Sequence, residues 1–215
     1  MSDLNPGGLA LLRRSWSRCW QTLGATGDGA ALMQQLLSAY QEPQRKYHSL
    51  QHLTECLAML QEHLALAEEP GEVEIALWFH DAVYDVKAGD NEQKSADWAA
   101  RSLADAGVAQ ARIERVVQLI MATRHAVLPE GRDQQLLVDI DLAILGSPRA
   151  RFVEYERQIA EEYSWVPEML FRQKRRTVLE EFIARRPIYS TAALRQKLER
   201  QAHDNLAFSL ERLTG

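Results

Sequence analysis

The stretch EIALWFHDAVY, residues 74–84, decides the fold. Its apolar residues follow helical rather than alternating spacing, and they enclose a histidine and an aspartate. On a helix the neighbours of residue i stand at i±3 and i±4. His80 is therefore flanked by Ala76, Leu77, Val83 and Tyr84, and Asp81 by Leu77, Trp78 and Tyr84. LLVDIDLAILG, residues 136–146, repeats the pattern, with Asp141 between Leu137, Val138, Ile144 and Leu145. Asp139 has Gln135 among its neighbours and is expected to lie less deeply than Asp141. A carboxylate placed in an apolar stripe costs several kcal/mol unless it is paired or binds a metal.

Working outward, helical periodicity covers almost the whole chain, and β-branched alternating runs are scarce. The pattern predicts helices near 8–23, 27–41, 48–68, 72–84, 92–106, 109–124, 132–145, 149–163, 167–186 and 190–212. EEPGE at 68–72, KAGDNE at 87–92, LPEGR at 128–132, GSP at 146–148 and Pro187 punctuate them. Asp28 and Ser147 are expected N-caps. With 215 residues, no internal repeat and no long linker, the expectation is one all-α domain over 1–215, a single-domain helical bundle. Its C-terminal helices, about 149–215, are expected to pack on the rest.

Composition narrows the partners. The formal charge is −5, which argues against a nucleic-acid polymer as partner. Two cysteines, Cys19 and Cys56, are too few for a disulfide framework and read as buried reduced thiols. The stretch MSDLNPGGLALLRRSW has no basic leader followed by a long apolar core, and no window approaches a membrane span. A cytoplasmic protein with no membrane partner is expected.

RKYHSLQHL, residues 45–53, adds a second pair of polar side chains. On a helix His48 and His52 share one face, about 40° apart. His125 closes the apolar helix that ends in LIMATRHA, where a side chain can reach into a cleft. His63 and His203 sit among charged or polar neighbours and are expected to be solvated. Imidazoles and carboxylates together form a mixed N/O shell, suited to Mn²⁺, Fe²⁺, Co²⁺, Ni²⁺ or Zn²⁺ rather than to an all-oxygen Ca²⁺ site. Such an ion lowers the pKa of bound water and polarises a phosphoryl oxygen. His48 is positioned as general acid for a leaving alkoxide, and Arg45 and Arg124 as bidentate partners of phosphate oxygens.

YHSLQHL, FHDAVYD and DIDLAIL, in that order, resemble the H…HD…D signature of the HD-domain metal-dependent phosphohydrolases. The resemblance implies an all-helical fold of HD-domain type, with His52, His80, Asp81 and Asp141 as ligands of one divalent metal. YHSLQH also resembles the YHxxxH element of the cyclic-nucleotide phosphodiesterases, implying His48 as proton donor and His52 as ligand. Asp81 would then serve the chemistry as well as the metal. With GDNEQKSA, ATRHA and the tail from IYSTAAL onward, the chain is similar to a bacterial group of predicted HD-domain hydrolases of unassigned substrate. A second ion, by the same resemblance, is expected on His125 and Glu92, with Asp85 as helper. After the His-Asp doublet the chain reads AVYD, without the second histidine of the cyclic-nucleotide enzymes.

These readings imply hydrolysis of a small phosphoester, a nucleotide or another phosphorylated metabolite. Two alternatives stay open. One is a non-enzymatic helical interaction or sensing domain stabilised by metal, with helix 190–212 as a homodimer face. The other is a di-iron oxygenase, for which the histidine supply is short.

Overall fold

The computed structural model describes residues 6–214, and among them every regular element is helical. Residues 1–5, where the N-terminal stretch read from the sequence begins, lie outside the described residues. Ten α-helices follow: α1 (Pro6–Thr22), α2 (Ala30–Ala39), α3 (Leu50–His63), α4 (Pro70–Phe79), α5 (Asn91–Asp105), α6 (Gln110–Ala122), α7 (Arg132–Asp141), α8 (Arg149–Glu162), α9 (Glu168–Ala184) and α10 (Ala192–Thr214). Each corresponds to one of the ten predicted segments. Among the described residues no helix is long and apolar enough to cross a membrane. The chain divides into two compact units between Val138 and Asp139, inside α7 and about ten residues before the predicted C-terminal portion.

In the first unit α4 is the central helix. Every residue from Gly71 to Phe79 is buried, and α1, α3, α5 and α6 pack around it. Burial on all sides fits a helix apolar around its whole circumference. Its two exceptions, Glu72 and Glu74, are charge-paired. Glu72 takes both oxygens to Arg115 at 2.7 and 2.6 Å, and Glu74 pairs with Arg18. At the N-terminus of α4, Asp133 accepts the backbone N–H groups of Glu68 and Glu69, supplying acceptors that a helix start lacks. Trp16 stacks on Trp20 and meets Trp78 edge-on, both at 5.1 Å, closing the α1–α4 contact. Gly29 (φ 62°) lies against these indoles, and a Cβ there would stand 2.7 Å from Trp20. Asp28 turns its carboxylate to the Ala30 N–H, as a capping residue should, although Gly29 is the residue flanking the helix.

The second unit comprises the end of α7, a 3₁₀ segment (Leu142–Gly146), α8, α9 and α10. α10 packs on the 3₁₀ segment and on α9. Asn205 on α10 donates to the carbonyls of Leu145 and Ser147, and the buried Tyr189 hydroxyl donates to Leu142. Ser147 is not the N-cap it resembles in sequence, because Pro148 occupies that position before Arg149.

The end of α4 differs from the expected one. The apolar period runs on to Tyr84, but the helix ends at Phe79. Beyond it the backbone finds partners elsewhere: Asp81 N–H meets the Tyr40 hydroxyl, Val83 N–H donates to Ser95, and the Asp81 and Ala82 carbonyls accept from Arg45. Tertiary hydrogen bonds replace the helical ladder in the very segment that carries His80 and Asp81.

Candidate metal centre

His52 is the third residue of α3, and His80 is the first residue past α4, each almost wholly buried. Their Nε2 atoms stand 3.0 Å apart. Asp81 brings Oδ2 to 3.0 Å from His80 Nε2 and 3.5 Å from His52 Nε2. On the far side of its ring, His80 Nδ1 lies 2.8 Å from the Leu77 carbonyl. A carbonyl can only accept, so Nδ1 carries a proton, and in the neutral ring Nε2 presents its lone pair to the cluster. This is the outer hydrogen bond that metal-binding histidines usually make.

These separations can be tested against an ion. Two nitrogen or oxygen donors, each about 2.1 Å from one metal, are about 3.0–3.4 Å apart for angles between square and tetrahedral. Two of the observed separations, both 3.0 Å, fall in that range, and the third, 3.5 Å between Asp81 and His52, lies just beyond it. The donor set is two imidazoles and a carboxylate, so the residues suit a divalent transition ion. Burial pushes the Asp81 carboxyl up, but the His80, His48 and His52 imidazoles outweigh this and hold it well below the usual carboxylate range.

Cys56, one turn beyond His52 on α3, was read from the sequence only as a buried thiol. Its sulfur joins His52 and His80 in a group whose ligand atoms lie within 4.8 Å of one another. It is 3.7 Å from both nitrogens of the His52 ring. Equal distances place it against the imidazole rather than along either lone pair, where it fixes the ring's position. The i, i+4 spacing of His52 and Cys56 was the available signal.

His48 stands beside the donor triangle. Its ring stacks on Tyr84 at 4.2 Å and 25°, and meets His52 at 6.1 Å, so it is near the donors without joining them. Tyr47 leans on His52 at 4.7 Å. The shared face of His48 and His52 survives although α3 begins only at Leu50.

Arg45 differs from expectation. Its side chain is 1 % exposed, with Nε on Glu42, Nη1 on the carbonyls of His48 and Asp81, and Nη2 on that of Ala82. A guanidinium engaged in this way is not turned out toward a phosphate. A cleft of about 450 Å³ adjoins it, with Gln35, Val83, Tyr84 and Trp98 among its walls.

Of the remaining predicted residues, Arg124, His125, Glu92 and Asp85 lie outside the His52–His80 group. Arg124 is exposed after α6, and His125 follows it, half-buried with a left-handed backbone (φ 54°). Glu92 is half-buried in the first turn of α5. The structure brings neither His125 nor Glu92 into the His52–His80 group. Asp85 caps its own loop by accepting the Lys87 N–H. Asp141 is the last residue of α7, half-buried, in the second unit. Asp139, ranked below it in sequence, is the more deeply buried of the two. His63 is half-buried rather than solvated, and His203 pairs with Glu199 at 3.3 Å.

No family model matches this chain, and neither curated proteins nor solved structures give a match.

Proposed function

We propose that the chain is a divalent-metal-dependent phosphohydrolase acting on a small phosphoester, a nucleotide or another phosphorylated metabolite. The observation that carries this reading is the His52–His80–Asp81 triangle, with lone pairs and a carboxylate converging at metal-ligand separations. The order of the H…HD…D signature supports it. An ion bound there supplies an acidified water and a Lewis acid for the phosphoryl group.

The chain's own residues divide the remaining work. The Leu77 carbonyl keeps a proton on His80 Nδ1, so that Nε2 is the nitrogen that ligates. Asp81 stays ionised and offsets the ion's charge. His48, outside the donor triangle and braced by Tyr84, protonates the leaving alkoxide. Arg124, exposed after α6, contacts the phosphate. A cytoplasmic setting and a small anionic partner go with this reading.

The test separates ligand from acid. His52→Ala is expected to lose bound metal, whereas His48→Ala keeps it and loses about 10²–10⁴-fold in kcat. Metal-replete protein that hydrolyses no phosphomonoester or phosphodiester across a broad panel would overturn the proposal.

A further inference from the structure

The buried guanidinium of Arg45 has a task that neither a surface charge nor a phosphate clamp would explain. α4 ends at Phe79, so the carbonyls just past it lack helical partners. Arg45 supplies them: Nη1 donates to Asp81 and Nη2 to Ala82, at 2.9 Å for the latter. Nη1 also donates to the His48 carbonyl at 3.3 Å, on a different segment. The group is held between two aromatic rings, Tyr40 at 5.3 Å and Tyr84 at 5.5 Å. Tyr40 accepts the Asp81 N–H, and Tyr84 stacks on His48. Glu42, 3.0 Å from Nε, balances the charge.

We propose that Arg45 is a positioning residue that locks the His80–Asp81–Ala82 turn to the 45–49 segment, fixing the Asp81 ligand and the His48 acid in one register. The inference rests on the metal-centre reading for its functional consequence, while the lock itself rests on geometry alone. A planar fork reaches carbonyls on both segments at once, which the point charge of a lysine cannot do. Its donors are engaged by backbone carbonyls and by Glu42, so Arg45 acts through Asp81 and His48 rather than on substrate.

The experiment uses the full chain as wild type, R45A and R45K, each checked for folding by far-UV circular dichroism. Amide hydrogen exchange of the metal-free proteins reads the lock directly. Co²⁺ titration, followed by the visible spectrum, reads its consequence. Both variants are expected to exchange faster in 46–50 and in 80–85, and to bind Co²⁺ about 10- to 100-fold more weakly. Millimolar guanidinium is expected to restore R45A toward wild type and to leave R45K unchanged. If R45A does not fold, R45K carries the test.

Unchanged exchange in both segments would overturn the lock. So would a rise in KM for phosphoester with Co²⁺ affinity intact, which would make Arg45 a phosphate clamp. Wild type that binds no Co²⁺ would overturn the metal-centre reading instead, and the exchange data would still decide the lock.

Discussion

Asp139 is a buried carboxylate and Asp81 a half-buried one, each at or beyond a helix end, yet they are satisfied in opposite ways. Asp139 in the second unit accepts the Ser190 N–H at 2.8 Å, the Thr191 N–H at 2.6 Å and the Thr191 hydroxyl at 2.7 Å. Its burial is answered by fixed backbone donors that hold the start of α10 to the end of α7. Asp81 in the first unit faces imidazole nitrogens, one of which presents a lone pair because its ring's proton is committed to Leu77. With His80 neutral, two acceptors face each other, and a shared cation, either a proton or a metal ion, can bridge them. Burial alone therefore does not distinguish a structural carboxylate from a ligand; the chemistry of its neighbours does.

The sharpest way to break that comparison is to exchange the phenotypes. Asp81→Ala is expected to abolish metal binding and turnover with little loss of fold. Asp139→Ala removes the acceptor of two part-buried N–H groups and a hydroxyl, each worth about 1 kcal/mol, so a loss of about 3 kcal/mol in denaturant stability is expected. Metal content per folded chain should stay at the wild-type level. Metal lost from D139A and retained by D81A would reverse the assignment.

A pH series sharpens the same contrast. The Asp81 carboxyl is held below its ordinary value of 3.8. A depressed folded pKa adds stability that is present above the unfolded value and lost as pH falls through the folded one. Metal-free wild type should therefore exceed Asp81→Asn in stability at about pH 5–6, where histidine carries charge. The gap should close as pH falls below 3.8. A gap that widens on acidification would contradict the sign. The smallest effect is expected from Ser95→Ala, which removes the acceptor of the Val83 N–H at 3.0 Å. Thermal unfolding should report a loss of about 1 kcal/mol.

What the sequence shows of this molecule follows from what side-chain periodicity encodes. All ten helices are visible because each carries an apolar face at helical spacing. His52, His80 and Asp81 are visible because polar residues interrupt such a face. The end of α4 is not, since Arg45, Tyr40 and Ser95, distant in sequence, take over its backbone groups. Arg45 itself reads as an exposed phosphate partner because nothing local marks a guanidinium whose acceptors lie 36 and 37 residues away. Asp139 reads as shallower than it is for the same reason: Gln135 is its helical neighbour, but Ser190 and Thr191 are its partners.

The central claim is most directly tested by elemental analysis of purified, folded wild type beside H52A, D81A and D139A. Near-stoichiometric transition metal in wild type and D139A, absent from H52A and D81A, is the predicted result. No metal in wild type after reconstitution, or equal metal in all four proteins, would contradict it.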